Sequence, residues 1–104
     1  MDFGVNTSGL ELSKLVSLAQ TAESVGFTTF YPGDHLVLAQ TGVHPQHEPL
    51  LDAMTSAAAL FAATRKLRVG RRVRKSLFRH PMMTARALMT LDHIGGGRLI
   101  AGIG

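Results

Sequence analysis

The stretch from Ser8 to His35, SGLELSKLVSLAQTAESVGFTTFYPGDH, decides the architecture. Ser8 stands three residues before Glu11, the spacing of a capping box in which two side chains satisfy free N–H groups of a first helical turn. Leu12, Leu15, Ala19 and Ala22 follow at helical spacing, with Leu18 and Val25 beside them, so a helix is expected over residues 10–25. Gly26 is placed to end it in a left-handed conformation. Phe27 to Tyr31 is aromatic and β-branched and reads as a strand, closed by Pro32 and Gly33. A helix that passes through one glycine into a strand is the second half of a strand-helix-strand unit. Phe3 to Asn6 supplies its first strand.

The alternation continues outward from there. Residues 33–48 hold Asp34, three histidines and little periodicity, and read as a long loop of the kind that is usually functional or disordered. Pro49 suits a first helical turn, and a helix is expected over 50–64 with Leu50, Met54, Ala57, Leu60 and Phe61 on one face. Lys66 to Val73 is a third strand. Pro81 opens a third helix to about Ile94, with Met82, Ala85, Leu88, Met89 and Leu91 inward and Met83 also suited to the core. Gly95 to Gly97 end that helix, and Arg98 to Ile103 is a fourth strand. This order implies an α/β fold of parallel strands joined by right-handed crossovers. Two architectures fit: a small open doubly wound sheet, or the first half of a β/α barrel, a fold of ~250 residues. One domain spanning 1–104 is expected.

Composition narrows the function classes. With 45% hydrophobic and 17% charged residues the chain can bury a core, and without cysteine it has neither disulfides nor a thiol nucleophile. The start lacks a basic segment followed by an apolar run, and Ala57 to Ala63 is far shorter than the ~20 residues of a membrane helix, so a soluble cytoplasmic protein is expected. Residues 1–60 carry six acids against Lys14 alone, whereas residues 61–104 carry ten Lys or Arg against Asp92 alone. Phe78 is the sole aromatic near the basic run, so no nucleic-acid partner is expected.

Three clusters carry candidate chemistry. Asp34-His35 follows the second strand, at the end of a parallel sheet where ligands bind; the histidine can exchange protons near neutral pH and the carboxylate can orient it. His44 and His47, with Glu48 next to them, lie outside a helix with no obvious third ligand and read as solvated loop residues rather than a metal site. Arg71, Arg72, Arg74 and Lys75 turn basic where a buried strand should stay apolar, which suggests a salt-sensitive anion site, with Asp34 in contact with Arg72 or Arg74 or else both arginines fully exposed at the open mouth. Gly95-Gly96-Gly97 follows a helix rather than a strand, so it is no phosphate loop.

Taken together, the motifs resemble the luciferase-like monooxygenases, the bacterial-luciferase and coenzyme F-420-dependent group. They are Asp2-Phe3-Gly4-Val5-Asn6, Ala22-Glu23-Ser24-Val25-Gly26-Phe27, Gly33-Asp34-His35-Leu36, Pro49-Leu50, Ala62-Ala63-Thr64, Leu67-Arg68-Val69-Gly70, Arg79-His80-Pro81 and the run from Leu91 to Gly104. The resemblance implies a (β/α)8 barrel of which this chain is about the first four βα units, cut after the fourth strand. It implies FMN or coenzyme F-420 at the C-terminal barrel mouth and an oxidoreductase acting on a small organic substrate, with oxygen activation or hydride transfer. By the same resemblance Asp34 contacts the cofactor, His35 moves a proton, and the peptide Arg72-Val73 backs the ring as a non-proline cis bond, with Lys75 at a further cofactor contact. Relatives usually carry small or apolar residues where this chain has Arg71-Arg72-Val73-Arg74, and threonine where it has Lys75. The rival expectation is a non-catalytic α/β fragment, or a half-barrel completed by another chain or by oligomerisation, that binds anionic partners through the basic run.

Overall fold

A computed structural model describes residues 3–7, 11–32, 51–71 and 80–102. Its elements are β1 (Gly4–Thr7), α1 (Leu12–Ser24), β2 (Thr29–Pro32), α2 (Ala53–Ala63), β3 (Arg68–Arg71), α3 (Pro81–Ile94) and β4 (Leu99–Ala101). The four strands form one parallel sheet in the order β1-β2-β3-β4. This sequential order settles the choice between architectures. Successive right-handed crossovers that always step the same way keep every helix on one face, as in a barrel, whereas a doubly wound sheet reverses direction.

An apolar row with one residue from each strand faces the helices. The register pairs Val5 with Phe30, Phe30 with Val69 and Val69 with Leu99, giving an apolar row across the sheet. Phe30 and Val69 are fully buried, and Val5 and Leu99 pack against the same core. Against this row stand Leu15, Ala19 and Ala22 of α1, Met54, Ala57, Leu60 and Phe61 of α2, and Leu91 of α3. Helix α2 lies between α1 and α3, and its small residues Ala53, Ser56 and Ala57 are buried. Alanine and serine let neighbouring helices approach on both flanks, which explains an alanine-rich helix with little amphipathic contrast.

Several boundaries differ from the sequence reading. Helix α1 begins at Leu12 with Glu11 as its N-cap, so Glu11 does not occupy the third helical position of a capping box; its carboxylate accepts from Ser13 Oγ at 2.7 Å instead. Leu12 and Val25 are exposed. Helix α2 begins at Ala53, not at residue 50, because Asp52 caps it through Thr55 N and Thr55 Oγ1, both at 2.8 Å. Gly26 has φ +97°, the left-handed conformation expected of it.

Helix α3 runs from Pro81 to Ile94 as expected, but its apolar face does not. Met82, Met83 and Met89 are 73%, 63% and 74% exposed, whereas Thr84 and Leu91 are buried and Ala87 and Leu88 half-buried. The buried stripe is 84, 87, 88 and 91, the i, i+3, i+4, i+7 pattern of one face. At 3.6 residues per turn Met89 lies across the helix from Leu91, so the two cannot both point inward.

Candidate active site at the C-terminal strand ends

Strands β2 and β3 are adjacent and parallel, with Thr29 opposite Arg68 and Phe30 opposite Val69. They therefore end on the same edge of the sheet. Chain segment 33–50 leaves from the end of β2 and segment 72–79 from the end of β3. Asp34, His35, Arg72, Val73, Arg74 and Lys75 all fall in these segments and lie outside the described residues, as do His44 and His47. The fold brings the origins of the two segments side by side on one edge.

Below that edge, on the sheet face away from the helices, lies Tyr31. Its ring crosses three strands: a Cβ at Gly4 would stand 3.2 Å from Tyr31 Cε2, and a Cβ at Gly70 would stand 2.6 Å from Cε1 and 3.1 Å from Cβ of Ile100. Only glycine at position 70 leaves room for the ring. The two glycines thus leave room for the half-buried phenol between β1 and β3, near the strand ends. Sequence reading took Tyr31 as a strand residue only. The signal was the pair Gly4 and Gly70 on flanking strands, which becomes visible once the register is known.

The opposite edge is built differently. Glu23, at the end of α1, accepts backbone N–H bonds from Arg65 at 3.0 Å, Lys66 at 2.7 Å and Leu67 at 2.7 Å. Burial works to raise its pKa, but the three N–H donors and the nearby Arg98 outweigh that and hold the carboxyl below its ordinary value. Arg98 donates to Gly95 O at 2.6 Å, Phe61 O at 2.9 Å, Thr64 Oγ1 at 3.0 Å and Leu67 O at 3.3 Å, with its guanidinium 5.1 Å from the Phe61 ring centroid. It ties together the ends of α2 and α3 and the entry to β3. Asp92 Oδ1 accepts from Leu99 N at 3.3 Å. Glu23, Asp92 and Arg98 belong to the sequence motifs, and the structure gives them architectural roles at the N-terminal edge, where barrels keep stability rather than chemistry. Among the described residues no group of three His, Asp or Glu could hold a metal, and no helix is long and apolar enough to cross a membrane.

Residues 2–104 match the family described as luciferase-like monooxygenase. The chain belongs to that family. The 4-hydroxyprotoasukamycin monooxygenase of Streptomyces nodosus subsp. asukaensis is 31% identical over 96 residues, which cover 92% of this chain and 24% of the relative. The coenzyme F420-dependent tetrahydromethanopterin reductase of Methanopyrus kandleri superposes with TM-score 0.79 at 28% identity, over 99% of this chain and 26% of that one. The oxygenating constituent of 3,6-diketocamphane monooxygenase from Pseudomonas putida, solved with FMN, shares the fold at TM-score 0.79 and 20% identity, over 100% of this chain and 29% of that one. The chain spans 23–35% of the length of the curated relatives it matches. These luciferase-like neighbours are β/α barrels, and the four-stranded sheet with its three helices corresponds to a sector of that barrel.

Proposed function

We propose that the protein works as a flavin- or deazaflavin-dependent oxidoreductase on a small organic substrate, with its cofactor at the C-terminal edge of β2 and β3. The observation that carries this reading is the family match over residues 2–104 combined with the Tyr31 ring, flanked by Gly4 and Gly70, near two adjacent strand ends. A planar ring system fits there, because positions 4 and 70 raise no side chain beside the phenol. The cofactor, when bound, supplies hydride transfer or oxygen activation.

The chain's own residues do the rest. Asp34 holds and orients the cofactor, and the imidazole of His35 carries a proton to or from the reacting substrate near neutral pH. Arg72-Val73 and Lys75 are the further residues that would hold the cofactor. The Asp34-His35 pair favours coenzyme F-420 over FMN. The cations at 72, 74 and 75 suit the anionic tail that both cofactors carry. Titration with coenzyme F-420 and with FMN, followed by fluorescence, tests this. Reversible binding of at least one is expected, weakened by Asp34→Ala and left intact by His35→Ala. Failure of both to bind, or indifference of binding to Asp34→Ala, overturns it.

A further inference from the structure

Three of the chain's five methionines lie on α3, and none of the three is buried. Methionine is ordinarily a core residue, and Met54 of α2 shows the usual placement at 4% exposure. The inward stripe of α3 runs through Thr84, Ala87, Leu88 and Leu91. At 3.6 residues per turn, Met82 and Met89 point within about 30° of the direction opposite to that stripe. They face outward from the helix layer, not toward a helix on either flank, whereas Met83 stands on a flank. The exposure of Met82 and Met89 thus follows from which face of α3 is packed and not from what stands beside the helix.

A thioether sulfur gives up two electrons to a peroxide. The sulfur lone pair attacks one peroxide oxygen and the O–O bond breaks. That oxygen stays on sulfur as the sulfoxide, and the other leaves as water with both protons of the peroxide. Sulfur is oxidised by two electrons and the peroxide is reduced by two. An exposed thioether meets the oxidant directly, whereas Met54 meets it only when the core opens. The sulfoxide is polar and disrupts a packed core, but on the outer face of α3 it displaces no packing. Its oxygen can accept from water or from the exposed Arg86, which stands one helical turn from both residues, at i+4 from Met82 and i−3 from Met89.

We propose that Met82 and Met89 form a site of reversible sulfoxidation by hydrogen peroxide, on a face where the fold tolerates the modification. The site uses none of Asp34, His35, Tyr31 or the run from Arg71 to Lys75, so it stands or falls separately from cofactor binding.

Hydrogen peroxide added to the chain, labelled with carbon-13 at its methionine methyl groups, tests this, because each methyl signal moves as its sulfur is oxidised. The Met82 and Met89 signals are expected to convert at least about tenfold faster than that of Met54. The denaturant midpoint of the modified chain is expected to match that of the parent, since neither side chain packs against the core. Methionine sulfoxide reductases A and B together, one for each sulfoxide epimer, are expected to restore both signals on the folded chain. The variant Met82→Leu/Met89→Leu identifies the two signals and should leave the Met54 rate and the midpoint unchanged. Conversion of Met54 as fast as that of Met82 and Met89 overturns the site. A fall in midpoint on peroxide treatment that the Leu/Leu variant does not share overturns the tolerance, and failure of the reductases to restore the signals overturns the reversibility.

Discussion

At the residue scale, Glu23 and Arg98 carry more of the fold than their surface positions suggest. Glu23→Ala leaves three backbone N–H groups without their acceptor and is expected to destabilise the chain by about 1–3 kcal/mol, read from denaturant midpoints. Because the Glu23 pKa is lowered in the folded state, its contribution is complete above the unfolded carboxyl's pKa and disappears as pH falls through the folded value. The stability gap between the parent and Glu23→Gln should therefore narrow as pH falls below the unfolded carboxyl's value of 4.5 and through the lower folded value; a gap that widened on acidification would contradict the assignment. Arg98→Lys retains charge but cannot reach four acceptors on three elements, so a loss of about 1–3 kcal/mol is expected despite the conservative change. Neither role was legible in the sequence. A motif residue looks the same whether it meets a cofactor or a row of backbone amides, and only the turn of chain at Arg65 to Leu67 decides which.

At the element scale, the sheet and its helices were readable because α1 and α3 announce ends in the sequence: Gly26 after α1, Pro81 at the start of α3 and Gly95 to Gly97 after it. Faces were less readable. On α3 five apolar residues offered two stripes, and the structure buries the one through Thr84 and Leu91. Leu91→Ala is thus expected to cost about 2–5 kcal/mol, whereas Met82→Lys and Met89→Lys should each change stability by less than about 0.5 kcal/mol. Between strands, Tyr31 and Gly70 form a coupled pair. Gly70→Ala is expected to destabilise by about 1–3 kcal/mol through overpacking on the ring. Adding Tyr31→Ala should recover part of that loss, so a double-mutant cycle should show coupling above about 0.5 kcal/mol. Strict additivity would mean that the ring does not lie over position 70.

At the scale of the whole molecule, the two edges of the sheet divide the work. The N-terminal edge is closed by Glu23, Asp92 and Arg98, which join helix ends to strand entries. The C-terminal edge carries Tyr31 and gives rise to both segments that hold Asp34, His35, Arg72, Val73 and Lys75. The order of strands and the family were legible from ordered motifs along the chain. The placement of the Tyr31 ring was not, because it depends on a register that links Gly4, Tyr31 and Gly70 across three strands. The measurement that tests the account most directly is amide shift mapping of the chain with coenzyme F-420 and FMN. The account requires perturbations at Tyr31, Gly70 and the segments that follow β2 and β3, with Glu23, Leu67 and Leu99 unmoved. Binding that perturbs only the N-terminal edge, or no perturbation by either cofactor, would contradict it.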